Sequence, residues 1–315
     1  RESENLTDVD LKFLVLYFEK NYGLANEKRI DDAIKVVANE NRYHPVQDYL
    51  NALQWDKVER IRYALHYFLG AEISDYTYEV LKLFMLGTIA RVFRPGIKFE
   101  VMLCLVGGQG AGKSTFFRFL AMKDDWFTDD LKKMDDENVY RKLQGHLIVE
   151  FPEMVAILNA KNVEDTKSFM SRQKDTYKTP YDKHPKDHKR QCVFAGSSNS
   201  LDFLPMDRSG NRRFLPIQCN VNEAEVHILD DEKVSREYIA QMWAEAMEIY
   251  RSGNYMLKLP KKTQEELCEY QKRFMQEDTK KELILDYLEH CKGNMVCSRL
   301  LYAEALGNDG SPAQW

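Results

Sequence analysis

The sequence predicts an α/β protein, a mainly parallel sheet in mid-chain with helical regions before and after it. Three observations carry this. Four short, unbroken apolar runs, 101–106, 147–149, 192–195 and 214–217, have the length of strands buried on both faces. Helical stretches separate them, as the crossovers between parallel strands require. On either side of this block the apolar residues recur at helical spacing instead.

Taken in order, residues 1–95 read as a helical N-terminal domain. Leu11, Phe13, Leu14, Leu16, Tyr17 and Phe18 form one apolar stripe, and Ala33, Ile34, Val37 and Ala38 begin another. His44-Pro45 interrupts the chain, after which Val46, Tyr49, Leu50 and Leu53 resume the spacing up to Trp55-Asp56. A long helix is expected from Tyr76 to Phe93, stopped by Arg94-Pro95-Gly96. Residues 96–220 then hold the strands, and 221–315 return to helix, with Ile239, Met242, Trp243, Ala246, Met247 and Tyr250 on one face. Leu283 to Leu306 could begin a truncated winged helix.

Composition narrows the class. The chain has 315 residues, 44% hydrophobic and 30% charged, and no apolar run of the roughly 18–20 residues that span a bilayer. It begins with Arg and shows no signal-peptide pattern, so a piece of a longer protein is expected. Six scattered cysteines without a CxxC pair favour reduced thiols over a metal site or disulfide framework. A net charge of −5 means that any nucleic-acid contact must come from a local basic surface.

The strongest chemical signal is Gly107-Gly108-Gln109-Gly110-Ala111-Gly112-Lys113-Ser114, which fits G-x-x-x-x-G-K-[ST] and is followed by Thr115. Glycines let the backbone curl until several N–H groups point at phosphate oxygens. Lys113 is expected on the β- and γ-phosphates, and the Ser114 hydroxyl on Mg²⁺. An apolar strand before the loop and an apolar-faced helix after it supply the context of a P-loop NTPase binding ATP and Mg²⁺. Leu147-Ile148-Val149-Glu150 then offers a strand tipped by a metal-shell carboxylate, and Glu153 a second acid for orienting water. A surface cap is the alternative for either acid.

Residues 172–190 mix cations with Tyr177 and Tyr181, and Pro180 and Pro185 argue against helix. Lys178, Tyr181, Lys183, His184, Lys186, Lys189 and Arg190 are candidate DNA contacts, because cations neutralise phosphates and rings stack on bases. A solvated loop is the alternative. The third strand run ends in Gly196-Ser197-Ser198-Asn199, where the Asn199 amide could hydrogen-bond the γ-phosphate and the lytic water; as a lone signal it is more often a turn residue. Arg212 and Arg213 precede the last run, placed either for an intramolecular salt bridge or to reach a neighbouring subunit's site.

Together these features resemble the virulence-associated protein E family, a branch of the superfamily 3 helicases within the AAA+ class. The resemblance is carried by His44-Pro45-Val46 through Trp55-Asp56, Ser171-Arg172 with Asp175-Thr176-Tyr177-Lys178 and Pro180-Tyr181, and Gly210-Asn211-Arg212-Arg213-Phe214. It implies an ATP-dependent helicase of phage or mobile-element replication in a bacterial cytoplasm, acting on single- or double-stranded DNA. It also implies a hexameric ring whose ATP sites combine Lys113, Ser114, Glu150 and Asn199 of one subunit with Arg212 or Arg213 of the next. The chain departs from the family's pattern where Phe151-Pro152 separates two acids that relatives place side by side, and where Lys178 replaces a common Arg. A P-loop phosphotransferase, or a nucleotide-switched DNA-binding module without unwinding, are the other functions compatible with the residues.

Overall fold

The computed structural model describes residues 6–131, 139–154, 158, 163–178, 184–205, 211–275, 279–291 and 296–307. The chain divides into two compact units, 1–52 and 53–315. The first holds three helices: α1 (Asp8–Tyr22), α2 (Glu27–Glu40) and α3 (Pro45–Ala52). Thr7 caps α1, its hydroxyl accepting from the Asp10 N–H while the Asp10 carboxylate accepts from the Thr7 N–H. Gly23, at φ 69°, closes the same helix in the left-handed conformation that glycine adopts without steric cost. Pro45 opens α3, where its missing N–H would have had no helical partner.

The second unit begins with α4 (Ala64–Leu69) and α5 (Asp75–Phe93). Nearly every side chain of α5 is buried, which fits a helix that is apolar on all sides. Its start is fixed by Ser74, whose hydroxyl accepts from the Thr77 N–H. Arg91, buried within it, donates to Phe99 O at 2.6 Å, and burial pushes its guanidinium down to about 10. Gly87 is obligatory, because a Cβ there would meet the Phe99 ring at 2.1 Å.

The sheet contains β1 (Met102–Val106), β2 (Phe127–Thr128), β3 (Ile148–Phe151), β6 (Val193–Ser198) and β7 (Phe214–Gln218), with spatial order β2-β3-β6-β1-β7. All four pairings are parallel. The four strands expected from the apolar runs are present, and every residue of β1 and β3 is buried, as expected of strands covered on both faces. The two-residue β2 had no pattern long enough to announce it. A separate antiparallel hairpin joins β4 (Lys174–Tyr177) and β5 (Lys186–Lys189).

Connecting and covering the sheet are α6 (Lys113–Leu120), α7 (Val139–Leu143), α8 (Val163–Ser171), α9 (Glu232–Ser252) and α10 (Lys261–Lys272), and α11 (Thr279–His290) follows them. Trp243 on α9 is fully buried and its indole N–H donates to Leu120 O at 3.0 Å, tying α9 to the end of α6. Gln271 on α10 donates to both Asn211 O and Phe214 O at 2.7 Å, which pins the turn leading into β7. α4 and α5 thus belong to the same unit as the sheet. The segment read as a possible winged helix holds α11 and a short helical stretch at 298–305.

Candidate functional site

The loop from Gly107 to Gly112 leaves the carboxyl end of β1 and runs into the first turn of α6. Gly107 continues the ladder by donating its N–H to Ser198 O at 3.1 Å, and a Cβ on it would sit 2.6 Å from Cys219 O. Gly110 and Gly112 take φ of 81° and 77°, so the loop's curl depends on residues free to enter the left-handed region. The result is a cleft of about 300 Å³ lined by residues 109–115, Pro152, Glu153 and 197–199.

Lys113 folds back over the loop. Its Nζ donates to Gly107 O (2.7 Å), Gly108 O (2.8 Å) and Asn199 Oδ1 (3.0 Å). Burial lowers its pKa, because the charged ammonium loses water. Asn199 therefore touches the lysine of the glycine loop directly, although the two lie far apart in sequence. The strand order explains it: β6 lies between β1 and β3, so its carboxyl end falls between the loop and Glu150.

Glu150 is fully buried. Its Oε1 accepts from both Ser114 Oγ (2.7 Å) and Ser197 Oγ (2.6 Å), whereas Oε2 has no partner among the described residues. Burial raises the carboxyl pKa, and the two hydroxyl bonds oppose that shift. A carboxylate held by one oxygen beside Ser114, with the other unpaired among the described residues, suits the shell of a Mg²⁺ ion. Among the described residues no group of three or more His, Cys, Asp or Glu side chains that could hold a metal ion is present. Ser197 was not anticipated as part of this site; its position two residues before Asn199 was the available signal.

Glu153 lies at the exposed rim of the cleft with φ 53°, a left-handed backbone that costs a non-glycine residue energy. Such strain concentrates at functional sites. Arg212 and Arg213 do not join the cleft. Phe214 pairs with Met102, so both arginines sit at the amino edge of the sheet. That is roughly 20 Å from Gly107 along the strand direction, farther than an arginine side chain reaches. Arg213 is tied down there: its Nε donates to Ser171 Oγ at 3.2 Å and its Nη2 lies 3.5 Å from Glu100 Oε2. The Arg212 side chain is 75% exposed and only 3.8 Å from Glu100 at its closest.

In the hairpin, Lys178, His184, Lys186 and Lys189 are exposed, while Tyr181 and Lys183 lie outside the described residues. Arg190 departs from its expected place on the DNA-contacting surface. It is 3% exposed and forms a bidentate pair with buried Asp175, Nε–Oδ2 at 2.9 Å and Nη2–Oδ1 at 2.7 Å. Its guanidinium also lies over the Phe169 and Phe194 rings. The reason is register: Arg190 follows the last residue of β5, where the hairpin meets the body of the domain, so its charge anchors the hairpin root. Tyr177, expected to offer a free stacking face, already stacks on His188 at 4.1 Å and on Tyr140 at 5.6 Å.

Residues 50–276 match the family described as Virulence-associated protein E-like domain. The chain belongs to this family. No curated protein matches it. In solved structures, the VapE-like chain resembles the apo structure of the NrS-1 C-terminal region, with a TM-score of 0.53 and 18% identity over 83% of this chain and 70% of that one. The A form of the apo NrS-1 C-terminal region gives 0.50 and 17% over the same shares. At these identities the likeness is one of fold. Within the VapE-like domain the family match spans the glycine loop, Glu150, the hairpin and the arginine pair. No helix among the described residues is long and apolar enough to cross a membrane.

Proposed function

We propose that the chain is a P-loop AAA+ ATPase and the motor of a superfamily 3 type DNA helicase in phage or mobile-element replication. The observation that carries this reading is the meeting of Lys113, Ser114, Glu150 and Asn199 at one cleft on the carboxyl edge of a parallel sheet. Open α/β sheets bind ligands at that edge. In this reading the loop N–H groups and the start of α6 hold the ATP phosphates. Lys113 exchanges its carbonyl partners for β- and γ-phosphate oxygens, and Asn199, already bonded to Lys113, stands where it can sense the γ-phosphate. Ser114 and Glu150 would hold Mg²⁺, whose charge offsets that developing on the phosphoryl oxygens. Glu153 or Glu150 orients the attacking water.

Catalysis of this kind also calls for a cation on the transferring phosphoryl group. Among the described residues lining the cleft, Lys113 is the one Lys or Arg, and Arg212 and Arg213 stand at the far edge of the sheet. The missing cation therefore comes from a neighbouring copy in a ring, hexameric in the family's pattern. Arg212 is the better candidate, because Arg213 is held by Glu100 and Ser171. Lys178, His184, Lys186 and Lys189, with Tyr181 and Lys183, grip DNA phosphates.

Steady-state ATPase with Mg²⁺, with and without single-stranded DNA at low and moderate salt, tests the proposal. Salt-sensitive stimulation by DNA is expected. Hydrolysis indifferent to DNA under all conditions sinks the motor reading.

A further inference from the structure

A second cavity lies away from the cleft. It measures about 630 Å³, within the roughly 300–1,000 Å³ of small-ligand sites, and is lined by Arg94, Ile97, Tyr250, Arg251, Tyr255 and Leu257. Arg94 follows the end of α5 and Arg251 lies in the last turn of α9. Each helix end carries a partial negative charge of about half a unit, which two guanidiniums outweigh. Arg94 Nη2 donates to Tyr255 Oη at 2.8 Å, one of the five N–H donors a guanidinium carries. The Tyr250 and Tyr255 rings pack at 5.2 Å, and burial raises the Tyr255 pKa, so its hydroxyl stays protonated at neutral pH. Cations, a phenol and ring surface thus meet in one depression of a chain that is acidic overall.

The cavity adjoins the hairpin. The Gly96 N–H donates to Arg190 O at 2.9 Å, which fastens the 94–97 loop to the residue ending the hairpin. A Cβ on Gly96 would lie 3.2 Å from Gln173 O and 3.5 Å from Lys189 Cβ, so hairpin root and cavity rim share one backbone segment.

We propose that this cavity is a subsite for single-stranded DNA, with Arg94 and Arg251 on a backbone phosphate and Tyr255 against the adjoining sugar or base, extending the strand's path beyond the hairpin. It rests on the reading of the hairpin as the DNA grip. Paired guanidiniums suit phosphate oxygens through their fork of donors, and ring surface tolerates any base. The shared 94–97 loop keeps the subsite at a fixed offset from Lys189.

The test is fluorescence anisotropy of a short fluorescein-labelled oligothymidylate with the full chain, titrated over NaCl. The R94Q/R251Q double variant changes two exposed side chains, and Tyr255→Phe keeps the ring while removing the hydroxyl. The double variant is expected to bind about tenfold more weakly, with a salt slope shallower by about 0.7, from one phosphate contact on a single strand. Tyr255→Phe is expected to weaken binding about two- to threefold, the scale of one neutral hydrogen bond. Unchanged affinity and slope in the double variant overturn the subsite. So does altered displacement by inorganic phosphate with unchanged DNA affinity, which marks a small-anion site instead. K186A/K189A in the same titration separates the two ideas. Loss there with normal binding in the double variant keeps the hairpin reading and ends the subsite; the reverse ends the hairpin reading and with it the continuous path, leaving the cavity as a separate DNA contact. A wild-type chain that binds no oligothymidylate removes both.

Discussion

The two edges of the central sheet are built in different ways. At the carboxyl edge, charges are desolvated and few: Lys113 and Glu150 are buried, one with its pKa lowered and the other with its pKa raised by loss of water. Each is held by hydroxyls, carbonyls or an amide, and one carboxylate oxygen is left over. At the amino edge, Glu100 faces Arg212 and Arg213, and Lys98 lies 3.9 Å from the same carboxylate. The hairpin rises nearby on its Asp175–Arg190 root. The first edge suits one small ligand, since fixed dipoles act without reorganising. The second carries exposed cations over a buried anchor, which suits a polyanion or another protein surface.

The largest effects that would break this contrast are at Lys113 and Arg212. Lys113→Ala is expected to reduce ATP turnover roughly 100-fold or more in a steady-state assay, and near-normal turnover would mean that the cleft is not the nucleotide site. Arg212→Ala is expected to approach the loss of an arginine finger, roughly 1,000-fold, while ATP binding measured by fluorescent-nucleotide titration stays intact. Mixing Arg212→Ala with Lys113→Ala chains should then restore activity, because each supplies what the other lacks. Failure of that mixture to recover would place the arginine's work within its own chain.

Next in size is the hairpin root. Arg190→Ala leaves Asp175 buried without its partner, at a cost of about 3–5 kcal/mol, read as a lowered melting temperature. A melting curve like the wild type's would show that the hairpin does not depend on this pair. The smallest effect expected is Ser197→Ala, about tenfold in the Mg²⁺ concentration needed for half-maximal turnover, the scale of one hydrogen bond to a charged group. Ser197→Thr should restore it, since threonine keeps the hydroxyl. An unchanged Mg²⁺ requirement in Ser197→Ala would remove Ser197 from the site.

Both edges were partly legible in the sequence. The glycine loop, its lysine and its serine are contiguous, and a contiguous motif fixes its own geometry through local backbone freedom. The four apolar runs gave the strands, since continuous hydrophobicity is itself the mark of a doubly covered strand. The placing of Arg190 went wrong because its fate is set by a residue fifteen positions earlier. Composition counts a cation in a basic segment, and only pairing shows whether the cation is spent on an internal carboxylate. The stacking of Tyr177 was hidden for the same reason: its partner His188 arrives from the opposite strand, and Tyr140 from another helix.

The sequence by itself determined the parallel α/β core and the glycine loop that joins its first strand to a helix, because these depend on local patterns of glycine and apolar run. The tertiary structure decided that Ser197 shares Glu150 with Ser114, and that Asn199 reaches Lys113 because β6 is inserted between β1 and β3. It also decided that the arginine pair stands at the opposite edge from the cleft. Strand order and register fix these relations, and both are set by which faces pack together across the whole sheet rather than by any short stretch of residues.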